Sequence, residues 1–97
     1  MMPWHAEAFE WDDGNESELA AHGVTPVEVE DLFAEGPVWL PNRRRRAGDW
    51  KMVGYTPAGR ALTVVLVWDE ARRTLRAVTG WDATPGETTR YLRGQGR

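Results

Sequence analysis

The sequence predicts an α+β fold: an N-terminal strand and two helices, an antiparallel sheet of three to four strands, and a short C-terminal helix. Three observations predict it. The formula Thr-Pro-x-Glu occurs twice, at residues 25–28 and 84–87, and each copy opens a helix. Between the two copies, residues 62–68 form a continuous apolar, β-branched run, as expected of a central strand covered on both faces. Residues 50–56 alternate beside it and end at a turn around Pro57-Ala58-Gly59.

The elements follow in order. Residues 5–11 read as a short strand holding Ala8, Phe9 and Trp11. Asp12 or Asp13 then accepts hydrogen bonds from the free amides of a first helix, which runs to about Ala21. Gly14 and Asn15 are poor helix formers, so packing of Leu19 must support that helix. Gly23 suits a left-handed cap after it. The second helix starts at Pro26 with Thr25 as cap and Glu28 completing a capping box. Val29, Leu32 and Phe33 form its apolar stripe, and Gly36-Pro37 stops it. Strands are expected at 38–40, 50–56, 62–68 and 73–81, and the last helix runs from Thr84 to about Arg93.

The 97 residues are expected to form one domain, spanning 1–97, around one modest core. There is no cysteine, which excludes disulfides and thiolate metal sites. No apolar run approaches the roughly 20 residues of a membrane span, so no membrane partner is expected. The N-terminus lacks the pattern of a secretory signal, and the cytoplasm is the expected location. The formal net charge of -3 argues against bulk nucleic-acid affinity. The charge is uneven, however: most acids lie up to Glu35, and the basic residues follow Pro41. The C-terminal part can therefore present a basic face.

Arg43, Arg44, Arg45 and Arg46 are the sharpest basic feature. Adjacent arginines can engage phosphates bidentately; a solvated turn or a patch for an acidic partner explains them equally well. In strand 73–81, alternation puts Arg76 on one face with Val78 and Gly80, and Gly80 leaves space there for a phosphate or base. Leu75, Ala77, Thr79 and Trp81 then point to the core. Arg76 is the expected phosphate contact, with Glu87 or Arg90 close by; the competing reading is a surface ion pair with Glu87 or Asp82. Of the six tryptophans, Trp11 and Trp68 are assigned to the core, and Trp39, Trp50 and Trp81 to half-exposed positions. Trp81 can stack a base or simply cover the sheet. His22 sits at a helix C-terminus, where a structural role is favoured, and His5 lies near the terminus. Glu10, Asp12 and Asp13 imitate a metal site, but helix capping explains them better. No spaced histidine pair, carboxylate cluster or glycine-rich phosphate loop supports a metal or nucleotide cofactor.

Two blocks carry a family resemblance. One is Phe9-Glu10-Trp11-Asp12 with His22-Gly23-Val24 further on. The other runs from Arg76 through Val78-Thr79-Gly80-Trp81-Asp82-Ala83-Thr84 to Glu87 and Arg90-Tyr91. With Glu28, Phe33, Gly54 and the series Arg60, Leu62, Val64, Val65 between them, the chain resembles the BrnT family of small bacterial toxins, ribonucleases related in fold to RelE. The resemblance covers Phe9 to Tyr91; each motif is weak, while their order and spacing are fairly specific. Three departures stand out. Trp81 replaces the strand-end arginine of the family, Thr88 and Thr89 replace arginines after the helix glutamate, and Ala21 stands where a lysine is common.

The resemblance implies metal-independent endoribonuclease activity that inhibits translation, as the toxin of a type II toxin–antitoxin system. It implies a ribbon-helix-helix antitoxin of the BrnA type as partner, RNA as substrate, and operator DNA only through the antitoxin. Such cleavage needs a base for the 2′-hydroxyl proton, cations for the phosphorane, and an acid for the leaving oxygen; a positioned acid or base contributes roughly 10²–10⁴-fold. The candidate catalytic residues are Arg76, Glu87, Arg90, Tyr91 and Lys51. The candidate RNA contacts are Arg43, Arg44, Arg45, Arg46, Tyr55, Arg60 and Trp81. The alternative is a catalytically impaired binding module or regulatory protein that keeps the partner surface. The missing arginines and the acidic balance favour that alternative, and the retained Arg76, Glu87, Arg90 and Tyr91 favour the nuclease.

Overall fold

The fold is known from a computed structural model, which describes residues 2–42 and 48–95. It is α+β, with three helices and a five-stranded sheet. The strands and helices are β1 (Ala8–Phe9), α1 (Asp13–Ala21), α2 (Pro26–Ala34), β2 (Val38–Pro41), β3 (Trp50–Tyr55), β4 (Ala61–Asp69), β5 (Thr74–Asp82) and α3 (Pro85–Gln95). No helix among the described residues is long and apolar enough to cross a membrane.

The helix starts form as their sequences dictate. Asp12 Oδ1 accepts from the Asn15 amide at 3.1 Å, and Asn15 Oδ1 accepts from the Asp12 amide at 2.8 Å. Thr25 and Glu28 make the reciprocal pair at α2. Gly23 ends α1 with φ 72°, a left-handed position that glycine adopts without strain. Asn15, a poor helix former, earns its place differently. It is buried, and its Nδ2 donates to the carbonyls of Glu10 and Ala77, each at 2.9 Å, tying α1 to β5.

The sheet order is β1-β5-β4-β3-β2. Three of its pairings are antiparallel, as expected, but β1 runs parallel to β5, so the sheet is mixed. Of the expected 5–11 strand, Ala8–Phe9 form β1, flanked by the Glu7 and Glu10 amides donating to Arg73 O and Leu75 O at 2.8 Å, and His5 belongs to a 3-10 turn over Pro3–His5. A proline has no amide to donate to a ladder, which suits Pro3 to the first turn of a helix and not to a strand. Trp4, in that turn, packs its ring on those of Trp39 and Trp50.

One face of the sheet meets α1 and α2. Met52, Leu62, Val64, Leu66, Leu75 and Ala77 pack there against Leu19, Val24, Val29 and Leu32, and all ten are buried. Trp11 and Trp68, assigned to the core by sequence, sit at its margin instead. Each has a carboxylate for its indole N–H: Glu30 at 2.8 Å for Trp11 and Glu70 at 3.0 Å for Trp68. A buried indole needs such a partner, and acids are available at the rim.

The other face carries α3. Register aligns Leu40 with Lys51 and Lys51 with Val65, and likewise Val38 with Val53 and Val53 with Thr63. On β5 the same rows continue as Thr79 and Trp81. This overturns the simple alternation expected for that strand. Val65 pairs with Thr79 but Leu66 pairs with Ala77, which leaves Val78 as an extra, bulged residue. Beyond the bulge the faces exchange. Trp81 leaves the core side and lies beside Thr63, while the Thr79 hydroxyl donates to Glu18 of α1 at 3.0 Å. Gly80 moves to the helical side, where a Cβ would meet Thr63 O at 3.1 Å and Leu19 Cδ2 at 3.2 Å. The open space expected beside Arg76 is therefore not at Gly80.

Candidate functional site

The site lies on the α3 side of the sheet and is organised by Glu87. The second Thr-Pro-x-Glu formula starts α3: Glu87 accepts from the Thr84 amide at 2.9 Å, and Thr84 Oγ1 accepts from the Glu87 amide at 3.2 Å. The same Glu87 Oε1 accepts from Thr63 Oγ1 at 2.8 Å and Trp81 Nε1 at 3.1 Å. Its Oε2 faces Lys51 Nζ at 4.0 Å. Burial works to raise the Glu87 carboxyl, but the bonds from Thr84, Thr63 and Trp81, with Lys51 nearby, outweigh it and hold the group below its ordinary value. Glu87 is thus ionised and loaded with donors. It can orient Lys51 electrostatically, but it is a weak proton acceptor.

Trp81 takes its position from this carboxylate. The indole closes the hydrogen-bond set of Glu87 and is half-buried. Tyr55 and Tyr91 meet edge to face, with ring centroids 5.4 Å apart, which joins the end of β3 to α3. Gly54 permits this approach, since a Cβ there would meet Tyr91 Cε1 at 3.1 Å and Leu32 Cδ1 at 3.0 Å. Arg90 is exposed on α3, and together with Arg93, Val38, Leu40 and Gly94 it lines a cleft between α3 and β2.

Lys51, Glu87, Tyr55, Trp81, Tyr91 and Arg90 therefore belong to one side of the molecule. Arg76 and Arg60 are held elsewhere. Arg76 donates to both oxygens of Asp12, at 2.7 and 3.1 Å, with Glu10 at 3.7 Å. Arg76, by its hydrogen bonds, and the Asn15 amide depress the Asp12 carboxyl to about 2, and the same pairing raises Arg76. The partners of Arg76 are thus the α1 cap and Glu10, neither of the two acids expected from sequence. Arg60 donates to Asp82 at 2.9 Å, to the Gly23 carbonyl at 2.7 Å and to both oxygens of Glu28 at 3.0 and 3.1 Å. It fastens the α1–α2 corner to the end of β5. His22 pairs with Glu18 at 3.2 Å, a contact within one helix turn. Arg43, Arg44, Arg45 and Arg46 lie outside the described residues.

Sequence reasoning missed Thr63, Asn15 and Arg93. Thr63 is buried, and a hydroxyl inside an apolar strand run was the available signal, because such a group must find a partner. Arg93 sits three residues after Arg90, the spacing of one helix face. No group of histidines and carboxylates among the described residues has the arrangement to hold a metal ion. No family model matches the sequence, and no curated protein is significantly similar to it.

Proposed function

We propose that this protein is the toxin-like member of a type II toxin–antitoxin pair and acts on RNA at the face built by β3, β4, β5 and α3. The observation that carries the reading is the grouping of Lys51 and Tyr55 with Glu87, Arg90 and Tyr91. The last three belong to the block that resembles BrnT, and all five lie on the α3 side. In this reading Lys51 and Arg90 stabilise the charge of the phosphorane, worth roughly 3–4 kcal/mol for one well-placed donor by analogy with oxyanion sites. Glu87 orients Lys51. A tyrosine hydroxyl donates its proton to the leaving 5′-oxygen, and solvent water takes the 2′-hydroxyl proton. No step uses a metal ion. A ribbon-helix-helix antitoxin of the BrnA type binds the protein and connects it to operator DNA, and both work in the cytoplasm.

Induced expression tests this. Growth arrest with loss of cellular RNA, relieved by Lys51→Ala or Arg90→Ala, supports the nuclease. Harmless expression of folded protein, with no RNA cleavage by the purified chain, rejects it.

A specific observation favours a second reading, a binding module without catalysis. The two cations retained from the resemblance in the strands, Arg60 and Arg76, are each neutralised by two carboxylates of the chain itself. That leaves Lys51 and Arg90 to carry the phosphate chemistry. Co-purification of a ribbon-helix-helix partner with a chain that does not cleave RNA would establish this reading.

A further inference from the structure

The described arginines fall into two groups. Arg60, Arg72, Arg73 and Arg76 each have a carboxylate within ion-pair distance. Arg90 and Arg93 have none among the described residues, although both are exposed on α3. Spaced by three positions, they project from one side of the helix over Val38 and Leu40 of β2. The resulting cleft measures about 520 Å³, and no acidic side chain lines it among the described residues. Gly94 sets its width. A Cβ there would meet Val38 Cγ2 at 2.6 Å, so only glycine lets α3 lie this close to β2.

We propose that this cleft is a phosphate subsite that holds the backbone of single-stranded RNA next to the Lys51 centre. The inference rests on the RNA-directed reading above and adds a binding site, and the residue Arg93, to it. Two guanidinium forks without carboxylate partners match phosphodiester oxygens, and their charge is available because no ion pair has to be broken first. The aliphatic floor of Val38 and Leu40 suits a ribose or a base edge. The cleft is continuous with the centre: Leu40 lies opposite Lys51 in the ladder, and Tyr91, next to Arg90 in the chain, packs on Tyr55. These tyrosine rings can also stack unpaired bases, which favours a nucleic acid strand over an acidic peptide as occupant.

The test compares a labelled single-stranded RNA of about 12 nucleotides, a length within one protein's site size, with a dinucleotide. Arg93→Ala is expected to weaken the long RNA roughly three- to tenfold at low salt and to lower the slope of log affinity against log salt by about 0.7, the value for one phosphate contact. The dinucleotide, which reaches only the Lys51 centre, should bind as before. In a cleavage assay KM rises for the long substrate and kcat is unchanged. Unchanged affinity and slope for the long RNA overturn the subsite. Equal losses on both ligands also overturn it, because they place Arg93 in the centre itself. A variant that loses a glutamate-rich peptide but keeps RNA would give the cleft to an acidic protein instead. If Lys51→Ala weakens both RNAs and Arg93→Ala neither, the RNA reading stands without the subsite; if the wild-type chain binds no RNA, both fail.

Discussion

The same four-residue formula opens α2 and α3, yet its two glutamates end in different surroundings. Glu28 caps α2 and spends its charge on Arg60, a fixed cation 3.0 Å away. Glu87 caps α3 but turns inward, where neutral donors from Thr63, Trp81 and Thr84 share one oxygen and Lys51 stands off at 4.0 Å. The first arrangement is closed: acid and base satisfy each other. The second leaves a lysine that is oriented but not captured. Local sequence decides where a helix begins, and the strands it lands on decide whether its cap is structure or part of a site.

Removing each cap measures that difference. Glu87→Ala should have the largest effect, about 2–3 kcal/mol in urea unfolding, because it strips the acceptor from a buried hydroxyl and an indole as well as from the helix. Arg60→Ala comes next, at about 1–2 kcal/mol, since it leaves Glu28, Asp82 and the Gly23 carbonyl without their shared donor. Glu28→Ala should cost about 1 kcal/mol, the worth of an ordinary cap. If Glu28→Ala proved costlier than Glu87→Ala, the contrast between a surface clamp and an inward hub would be wrong.

Acid sharpens the contrast at the smaller end. The folded values of Glu28 and Glu87 both lie below the ordinary 4.5, so the unfolded chain binds their protons first as pH falls. Their stabilisation is complete well above pH 4.5 and is lost as pH drops through the folded values. Asp12 follows between 3.8 and about 2. Thermal melts from neutral pH downward should therefore show stability falling below about pH 4.5, with the loss shallower in Glu87→Gln, which no longer titrates. A melting temperature flat across that range would contradict the assigned hydrogen bonds.

Much of the fold was legible because its signals are local. Capping pairs at residues 12–15, 25–28 and 84–87 each act within four positions, and the apolar run of β4 needs no partner to be read. What escaped depends on distance. Ala8–Phe9 is too short to announce a parallel pairing with Thr74 and Leu75. The Asp12 clamp on Arg76 spans 64 residues, so an arginine that looked available in its strand is engaged by the cap of a helix. Nothing local assigned Trp4, which packs on Trp39 and Trp50. For the site, Glu87, Arg90 and Tyr91 were singled out through the family resemblance, whereas Thr63 became visible only when its hydroxyl met Glu87.

The bulge at Val78 gives β5 two phases. Before it the strand feeds the helical layer with Leu75 and Ala77; after it the strand feeds the opposite layer with Trp81. Chain length, not side-chain chemistry, thus decides which layer owns the indole. Strict alternation through the whole strand, with Val78 paired in register, would exchange Gly80 with Trp81. The largest side chain of the strand would then be driven against Leu19, where a single Cβ is already crowded, and the hydrogen-bond hub of Glu87 would lose a member. One residue of slack makes the two sides of this sheet compatible.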